Sequence, residues 1–134
     1  MKTLNFFLTA VIALLLSSCA TTVTFPVSQL APAAEGSTKI RQDKNGNYNI
    51  TVRVNYLADA ERLNPPRSQY IVWVEKDDGS FQNIGILVSD RLNKAKLETT
   101  TPFTPYRILI TAEDEGAVTW PGPQELFRSE RIIR

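Results

Sequence analysis

The sequence predicts an all-β domain, an antiparallel sandwich of about seven strands arranged in two sheets. Apolar and polar residues alternate in short segments along most of the chain, as in "YNITVRVNY", and a period of two is typical of half-buried strands. Turn-forming pairs such as Asn45-Gly46 and Asp78-Gly79 separate these segments. No segment has a convincing helical period, and residues 57–63 and 89–96 are long enough only for a helical turn each.

The first strand is predicted in "TVTFPV", where Val23, Phe25 and Val27 share one face. Pro26 cannot donate a hydrogen bond to a neighbouring strand, so the pattern places this strand at the edge of a sheet. The next two strands, "STKIRQ" and "YNITVRVNY", flank Asn45-Gly46. This pair favours a two-residue hairpin turn because Asn and Gly tolerate positive φ best.

The same turn has a calcium-loop interpretation. Asp43, Asn45 and Asn47 resemble the start of such a loop. An EF-hand loop requires a glycine at its sixth position and a glutamate at its twelfth. Here Gly46 comes too early and Val54 stands at the glutamate position, so the sequence favours a simple turn.

The second half of the chain supplies the remaining strands. "YIVWVE" is apolar on both faces, which is typical of a strand that is central in its sheet or buried on both sides. "FQNIGILV" returns after the Asp78-Gly79 turn, and "QELFRSERII" closes the chain. Between them, "AKLETTT" and "PYRILITAE" are predicted to direct one face inward, with Ala95, Leu97, Thr99, Tyr106, Ile108, Ile110 and Ala112.

The first residues of the chain have a different character. Lys2 precedes an apolar run from Phe6 to Leu16 that only Thr9 interrupts. The run is shorter than the roughly 20 residues that span a bilayer, and it suits the apolar region of a secretory signal. The tetrapeptide Leu16-Ser17-Ser18-Cys19 follows and resembles the bacterial lipobox. The resemblance implies cleavage before Cys19, lipid attachment to its thiol and acylation of the new amino terminus.

The resemblance to a lipobox implies a chain of three parts. Residues 1–18 would be a cleaved lipoprotein signal peptide, residues 19–22 the lipidated amino terminus with a short tether, and residues 23–134 the β domain. Each buried CH₂ of a lipid contributes about 0.8 kcal/mol, so several acyl chains make an effectively permanent anchor. Ala20 rather than an aspartate follows Cys19, which favours the outer membrane, and the absence of an acidic cluster there favours its periplasmic face. The alternative is a soluble secreted protein with a free Cys19.

Composition narrows the possible functions. The chain carries 15 Lys+Arg, 14 Asp+Glu, one Cys and no His. Loss of residues 1–18 removes one basic residue, Lys2, so the mature chain has 14 residues of each sign and a formal charge of zero. Nucleic-acid binding needs a basic surface and is not expected. The chain has too few Cys and His residues for an internal disulfide, a Cys/His zinc site or a His-dependent triad, so we expect no cofactor and no enzyme.

Two features resemble immunoglobulin and fibronectin-III sandwiches. Trp73 lies in the middle of its predicted strand, where Ig-like folds place their core tryptophan. "TPFTPYRILITA" resembles the E–F corner of fibronectin-III domains, with Pro102 four residues before Tyr106. The resemblance implies a tyrosine corner, in which the Tyr106 hydroxyl bonds to upstream backbone. The lack of a disulfide fits fibronectin-III better than antibody-type domains.

Longer sequence segments resemble two further groups of proteins. "RLNPP", "YIVWVE", "NIGIL" and "TPFTPYRILITAED" are similar to a group of small lipoproteins of Bacteroidetes-type bacteria. This resemblance implies an envelope lipoprotein with an Ig-like fold and implies no activity. "YIVWVE" is also similar, more weakly, to extracytoplasmic domains of membrane-bound anti-sigma factors, which implies a sensor domain.

Two surface features are candidate sites. Glu113, Asp114 and Glu115 form the densest charge run, which fits either a divalent-cation site or a solvated loop. Trp120, in "TWPGP", fits either an exposed binding anchor or a cap buried over the sandwich edge.

The leading hypothesis is a lipid-tethered, non-catalytic Ig-like module that contacts an envelope protein or glycan through these residues. The alternative is an envelope enzyme that uses carboxylates or a divalent cation, such as a glycosidase, whose two carboxyl groups stand about 5–9.5 Å apart in a cleft.

Overall fold

The computed structural model describes residues 19–132 of the chain, so the predicted signal peptide, residues 1–18, lies outside the described residues. The domain is all-β, as predicted, with a single turn of 3₁₀ helix at Ala60–Arg62. Within residues 19–132, no helix has the length and apolar character needed to cross a bilayer. The strands are β1 (Thr21–Thr24), β2 (Glu35–Gln42), β3 (Tyr48–Asn55), β4 (Gln69–Glu75), β5 (Phe81–Ser89), β6 (Ala95–Thr101), β7 (Arg107–Glu113) and β8 (Glu125–Arg128).

The strands form one antiparallel sheet in the order β1-β2-β3-β6-β5-β4-β7-β8, which curls into two layers around a shared core. β5 joins the layers, because its first part pairs with β4 while Val88 and Ser89 pair with β6. The β4–β5 register shifts between Val72 and Trp73, and Gly85 on β5 has a φ of 138°. Glycine adopts this backbone conformation without strain, so it allows β5 to bend from one layer into the other.

The core lies between the two layers. Phe25, which follows β1, stacks on Phe127 of β8 with ring centroids 5.0 Å apart, and this contact closes the side between the first and last strands. Each large apolar side chain contributes about 1.5–3 kcal/mol by leaving water. The alternating pattern of β3 is confirmed. Alternate residues of β3, β4 and β7 supply much of the core, including Ile50, Val52, Val54, Tyr70, Val72, Val74, Ile108 and Ile110.

Three hairpin loops share one five-residue form. In residues 43–47, 76–80 and 90–94, the N–H of the first residue donates to the carbonyl of the fifth, over 2.8, 2.9 and 2.8 Å. The fourth residue of each loop has positive φ: 82° at Gly46, 83° at Gly79 and 58° at Asn93. Glycine and asparagine are the residues that best tolerate this conformation. Of the two segments long enough for a helical turn, residues 57–63 contain the short 3₁₀ helix, whereas residues 89–96 form no helix and include the third of these loops.

The Asn45-Gly46 hairpin is confirmed, but its predicted two-residue turn is wrong. Only Gly46 of the pair has positive φ. A carboxylate oxygen of Asp43 accepts hydrogen bonds from the N–H groups of Asn45 at 2.8 Å and Asn47 at 3.0 Å. These bonds stabilise the longer loop, and they give Asp43 a structural role in the turn.

The first strand differs from its prediction at both ends. β1 lies at the edge of the sheet as predicted, but it begins at Thr21 rather than Val23, which shortens the expected tether. β1 ends at Thr24, and Pro26 follows outside the strand. Phe25 is buried as predicted, whereas Val27 is 79% exposed, because the period of two does not continue beyond the strand.

Trp73 is fully buried, but on a different face from that expected of a core tryptophan. It packs with Ile71 and Leu109 in a second apolar cluster on the outer face of β4 and β7. The core between the layers receives Tyr70, Val72 and Val74 from the same strand. β4 is therefore buried on both faces, as its sequence predicts, and Trp73 belongs to the outer one.

The predicted tyrosine corner is not formed by Tyr106. Within residues 19–132 its hydroxyl makes no hydrogen bond, and its half-buried ring lies beside the guanidinium groups of Arg107 and Arg131. Tyr70 makes an analogous bond instead, because its hydroxyl donates to the Ala58 carbonyl 12 residues upstream at 2.7 Å. Burial, and to a lesser extent the charge of Asp59, raise the pKa of Tyr70 to about 12.

The strand directions assign each loop to one of two ends. Cys19 lies just before β1, at the end that also carries the hairpin loops 43–47 and 76–80 and residues 102–106. The opposite end, called the distal end here, carries residues 25–34, 56–68, 90–94 and the start of the β7–β8 connection. A lipid on Cys19 would therefore hold the distal end away from the bilayer.

Candidate functional site

The connection from β7 to β8, residues 114–124, is called the flap here, and it covers the outer face of the β4–β7 layer. Val118 of the flap and Phe81 of β5 pack against the cluster of Ile71, Trp73 and Leu109, and Trp73 has no surface exposed to water. The flap leaves β7 at the distal end, while Trp120 contacts Phe81, the first residue of β5. The flap therefore extends along the layer toward the end that carries Cys19.

A relay of hydrogen bonds pins the flap to the sheet. The Trp73 indole N–H donates to the Thr111 hydroxyl at 2.9 Å, and that hydroxyl donates to Glu113 Oε1 at 2.7 Å. The same carboxylate oxygen accepts the backbone N–H of Gly122 at 2.6 Å. Hydrogen bonds to a carboxylate are among the stronger ones in proteins, so Glu113 holds the returning arm of the flap against β7.

Asn83 of β5 holds the outgoing arm. Its side-chain amide donates to the carbonyls of Gly116 at 2.9 Å and Val118 at 3.0 Å. Its carbonyl oxygen accepts the N–H of Gly85 at 3.0 Å, which fixes the orientation of the amide. Asn83 thus couples the position of the flap to the bend in β5.

The base of the flap is tied to the segment before β4. Arg67 pairs with Asp114 at 2.8 Å and also donates to the side-chain oxygen of Gln124. Gln124 donates in turn to the carbonyl of Pro65 at 2.9 Å. Both ends of the flap are therefore anchored, as in the compact surface loops that often carry function.

Trp120 is the exposed side chain that this scaffold presents. Its side chain is 66% exposed, so burial as a cap over the sandwich edge, which the sequence favours, is wrong. The ring meets Phe81 edge to face, with centroids 5.1 Å apart and an interplanar angle of 84°. This geometry is favourable for aromatic pairs and leaves most of the indole open to a partner.

The acidic run does not converge on one point. Glu113, at the end of β7, accepts hydrogen bonds from Thr111 and Gly122, Asp114 pairs with Arg67, and Glu115 is exposed. In the part of the chain that the structure describes, no three His, Cys, Asp or Glu side chains are placed to hold a metal ion. The run therefore contributes one brace, one surface ion pair and one solvated charge.

Cys19 lies outside the fold. It is exposed, and a single residue, Ala20, separates it from β1. Its thiol is the only one in the chain. An exposed position immediately before an edge strand is sterically compatible with a lipid on this side chain.

The sequence gives little indication of the residues that brace the flap. Asn83, Thr111 and Gly122 come from three separate segments, and their partners depend on the tertiary fold. Thr111 is the one bracing residue that the sequence could have indicated, because its side chain carries a hydroxyl group between apolar neighbours in β7. A polar side chain buried in such a strand needs a hydrogen-bond partner.

No protein-family model matches the chain, and no curated protein matches it significantly.

Proposed function

We propose that the protein is a lipid-anchored, non-catalytic module of the bacterial envelope that binds a partner through Trp120 on the flap. The observation that carries this proposal is a large aromatic side chain, 66% exposed, on a loop that is fixed by hydrogen bonds at both ends. Exposing an indole to water costs free energy that its burial against a partner would recover. Binding hot spots are enriched in tryptophan for this reason.

The anchoring part of the proposal rests on the lipobox-like Leu16-Ser17-Ser18-Cys19 and on the position of Cys19. Ala20 favours the outer membrane, and the absence of an acidic cluster after Cys19 favours its periplasmic face. One residue between the lipidated cysteine and β1 would hold the domain close to the bilayer. Trp120 contacts Phe81 near the same end, so the partner we propose is an envelope protein or glycan within reach of the membrane surface.

Rigidity supports binding by this flap. A fixed loop loses little conformational entropy when a partner docks, so more of the contact energy appears as affinity. Glu113 serves binding indirectly here, as a brace, while Glu115 is free to contact a partner with a positive group.

In-cell photocrosslinking from position 120 tests this proposal. We expect a photoreactive phenylalanine analogue at Trp120 to yield a discrete adduct with an envelope component. The same analogue at Val27, which is also exposed but lies on another surface, should not yield that adduct. Trp120→Ala should weaken binding of the identified component by about tenfold or more, as expected for a hot spot. Identical adducts from both positions, or unchanged binding by the alanine variant, would exclude Trp120 as the contact.

A further inference from the structure

Exposed apolar side chains concentrate around one strand at the distal end. Val88 of β5 is 67% exposed, and Ile86, on the same strand, is also exposed. Tyr56 lies in the loop that follows β3, and Leu92 lies in the loop that follows β5; both side chains are exposed. A hydrogen bond from the Leu57 N–H to the Asn93 carbonyl, at 2.9 Å, joins these two loops. Clustered exposed apolar groups of this kind mark interaction surfaces more often than single ones do.

Two clefts of opposite charge flank Val88. On the β4 side, a cleft of about 320 Å³ is lined by Asp59 and Glu61 together with Ile86 and Val88, and no basic side chain lines it. On the β6 side, a cleft of about 580 Å³ is lined by Arg53, Lys94 and Lys96, with Asp90 as its one acidic group. Val88 lines both clefts and forms the ridge between them.

The charges in these clefts are open to a partner. In the described part of the chain, Asp59, Glu61 and Lys94 form no ion pair. Lys96 pairs with Glu98 at 2.9 Å, but both side chains are at least half exposed, and such pairs are weak. The Asp90 carboxylate accepts hydrogen bonds from the backbone N–H groups of Leu92 and Lys94, and these bonds stabilise the loop of residues 90–94.

We infer that this surface binds a second copy of the same chain in a two-fold symmetric dimer. The sheet order β3-β6-β5-β4 places the basic and acidic clefts on opposite sides of β5. The two-fold axis would lie in the interface beside Val88, parallel to β5. Rotation about this axis interchanges the two sides of the strand, so the acidic cleft of each copy meets the basic cleft of the other. Symmetric dimers require a self-complementary patch of this kind.

The same axis is compatible with two membrane-anchored copies. Rotation about an axis parallel to the strands keeps the Cys19 end of both copies on the same side. The contact lies at the distal end, away from Cys19 and from Trp120, so it goes beyond the proposed partner-binding function. Confinement to a membrane would raise the effective concentration of the two copies and strengthen a modest contact.

Site-directed crosslinking tests the dimer in the full chain carrying Cys19→Ser, so that an introduced cysteine is the only thiol and no anchor is needed. Val88→Cys should crosslink to itself with a short bismaleimide, because the axis passes through this position. Lys44→Cys, exposed in a hairpin loop at the other end, is the matched control and should crosslink about tenfold or more slowly. Equal rates at the two positions would overturn the dimer.

Charge reversal tests the pairing of the clefts. In the Val88→Cys background, Glu61→Lys and Lys94→Glu should each lower self-crosslinking by about tenfold, because each places like charges opposite one another. Mixing the two reversed proteins should restore crosslinking between them. Unchanged yields in the single reversals, or no restoration in the mixture, would contradict the two-fold arrangement. These outcomes are independent of lipid attachment and of Trp120, so they leave the proposed function to its own test.

Discussion

Two buried threonines differ in how their hydroxyl groups are satisfied. Thr38 of β2 is fully buried, and its Oγ1 has no hydrogen-bond partner within the described residues. Thr111 of β7 is equally buried, but its hydroxyl accepts from Trp73 and donates to Glu113. A buried polar group stabilises the fold only when it is hydrogen-bonded, so the two residues should respond in opposite ways to the loss of the hydroxyl.

We predict that Thr38→Val raises the free energy of unfolding by about 1 kcal/mol, because a methyl group replaces an unpartnered hydroxyl of similar size. Thr111→Val should lower it by about 1–3 kcal/mol, because it leaves the Trp73 N–H and the Glu113 carboxylate each short of a partner. Urea denaturation of both variants measures these changes. Destabilisation by Thr38→Val, or a neutral effect of Thr111→Val, would contradict the hydrogen-bond assignment.

At the scale of elements, the strands with alternating apolar residues could be predicted from the sequence. The packing of the flap against the outer face of β4 could not. β3 follows a period of two with one polar face, so its inward residues are evident from the sequence. β4 is apolar on both faces, and periodicity alone cannot assign Trp73 to the core or to the outer face. The flap decides the question, because Val118 covers the outer side of β4.

The sequence favours burial of Trp120, and the structure differs from this expectation for a related reason. A tryptophan in a Pro- and Gly-rich loop gains free energy either by burial against its own domain or by contact with a partner. Here Trp73 and Val118 fill the outer cluster, and Trp120 reaches only the edge of Phe81. The tyrosine that bonds upstream backbone is Tyr70 rather than Tyr106 because that bond depends on the path of residues 56–68, which no local pattern specifies.

We predict that Glu113→Ala loosens the flap and exposes Trp73. In a Trp120→Phe background, Trp73 is the only tryptophan, so its fluorescence reports directly on whether the flap covers it. Loss of the bonds to Thr111 and Gly122 should shift the emission to longer wavelength and raise acrylamide quenching several-fold. Glu115→Ala, two residues along and exposed, is the matched control and should leave both unchanged. Equal quenching in the two variants would show that Glu113 does not hold the flap.

At the scale of the whole molecule, a lipid anchor on Cys19 would place the two ends of the domain in different environments. Cys19 and the nearby tip of the flap would lie close to the bilayer, while the clefts beside Val88 would lie away from it. Lateral pairing and partner binding would then use separate surfaces of one small domain. This arrangement depends on lipid attachment at Cys19, which the lipobox-like tetrapeptide predicts.

Intact-mass analysis of the mature chain tests that attachment most directly. We predict that the protein recovered from bacterial membranes begins at Cys19 and carries a diacylglyceryl group on its thiol and an acyl group on its amino terminus. Cys19→Ser should remove the lipid and release the protein to the soluble fraction. An unmodified Cys19 in soluble protein, or unchanged membrane association of the serine variant, would show that Cys19 does not carry a lipid anchor.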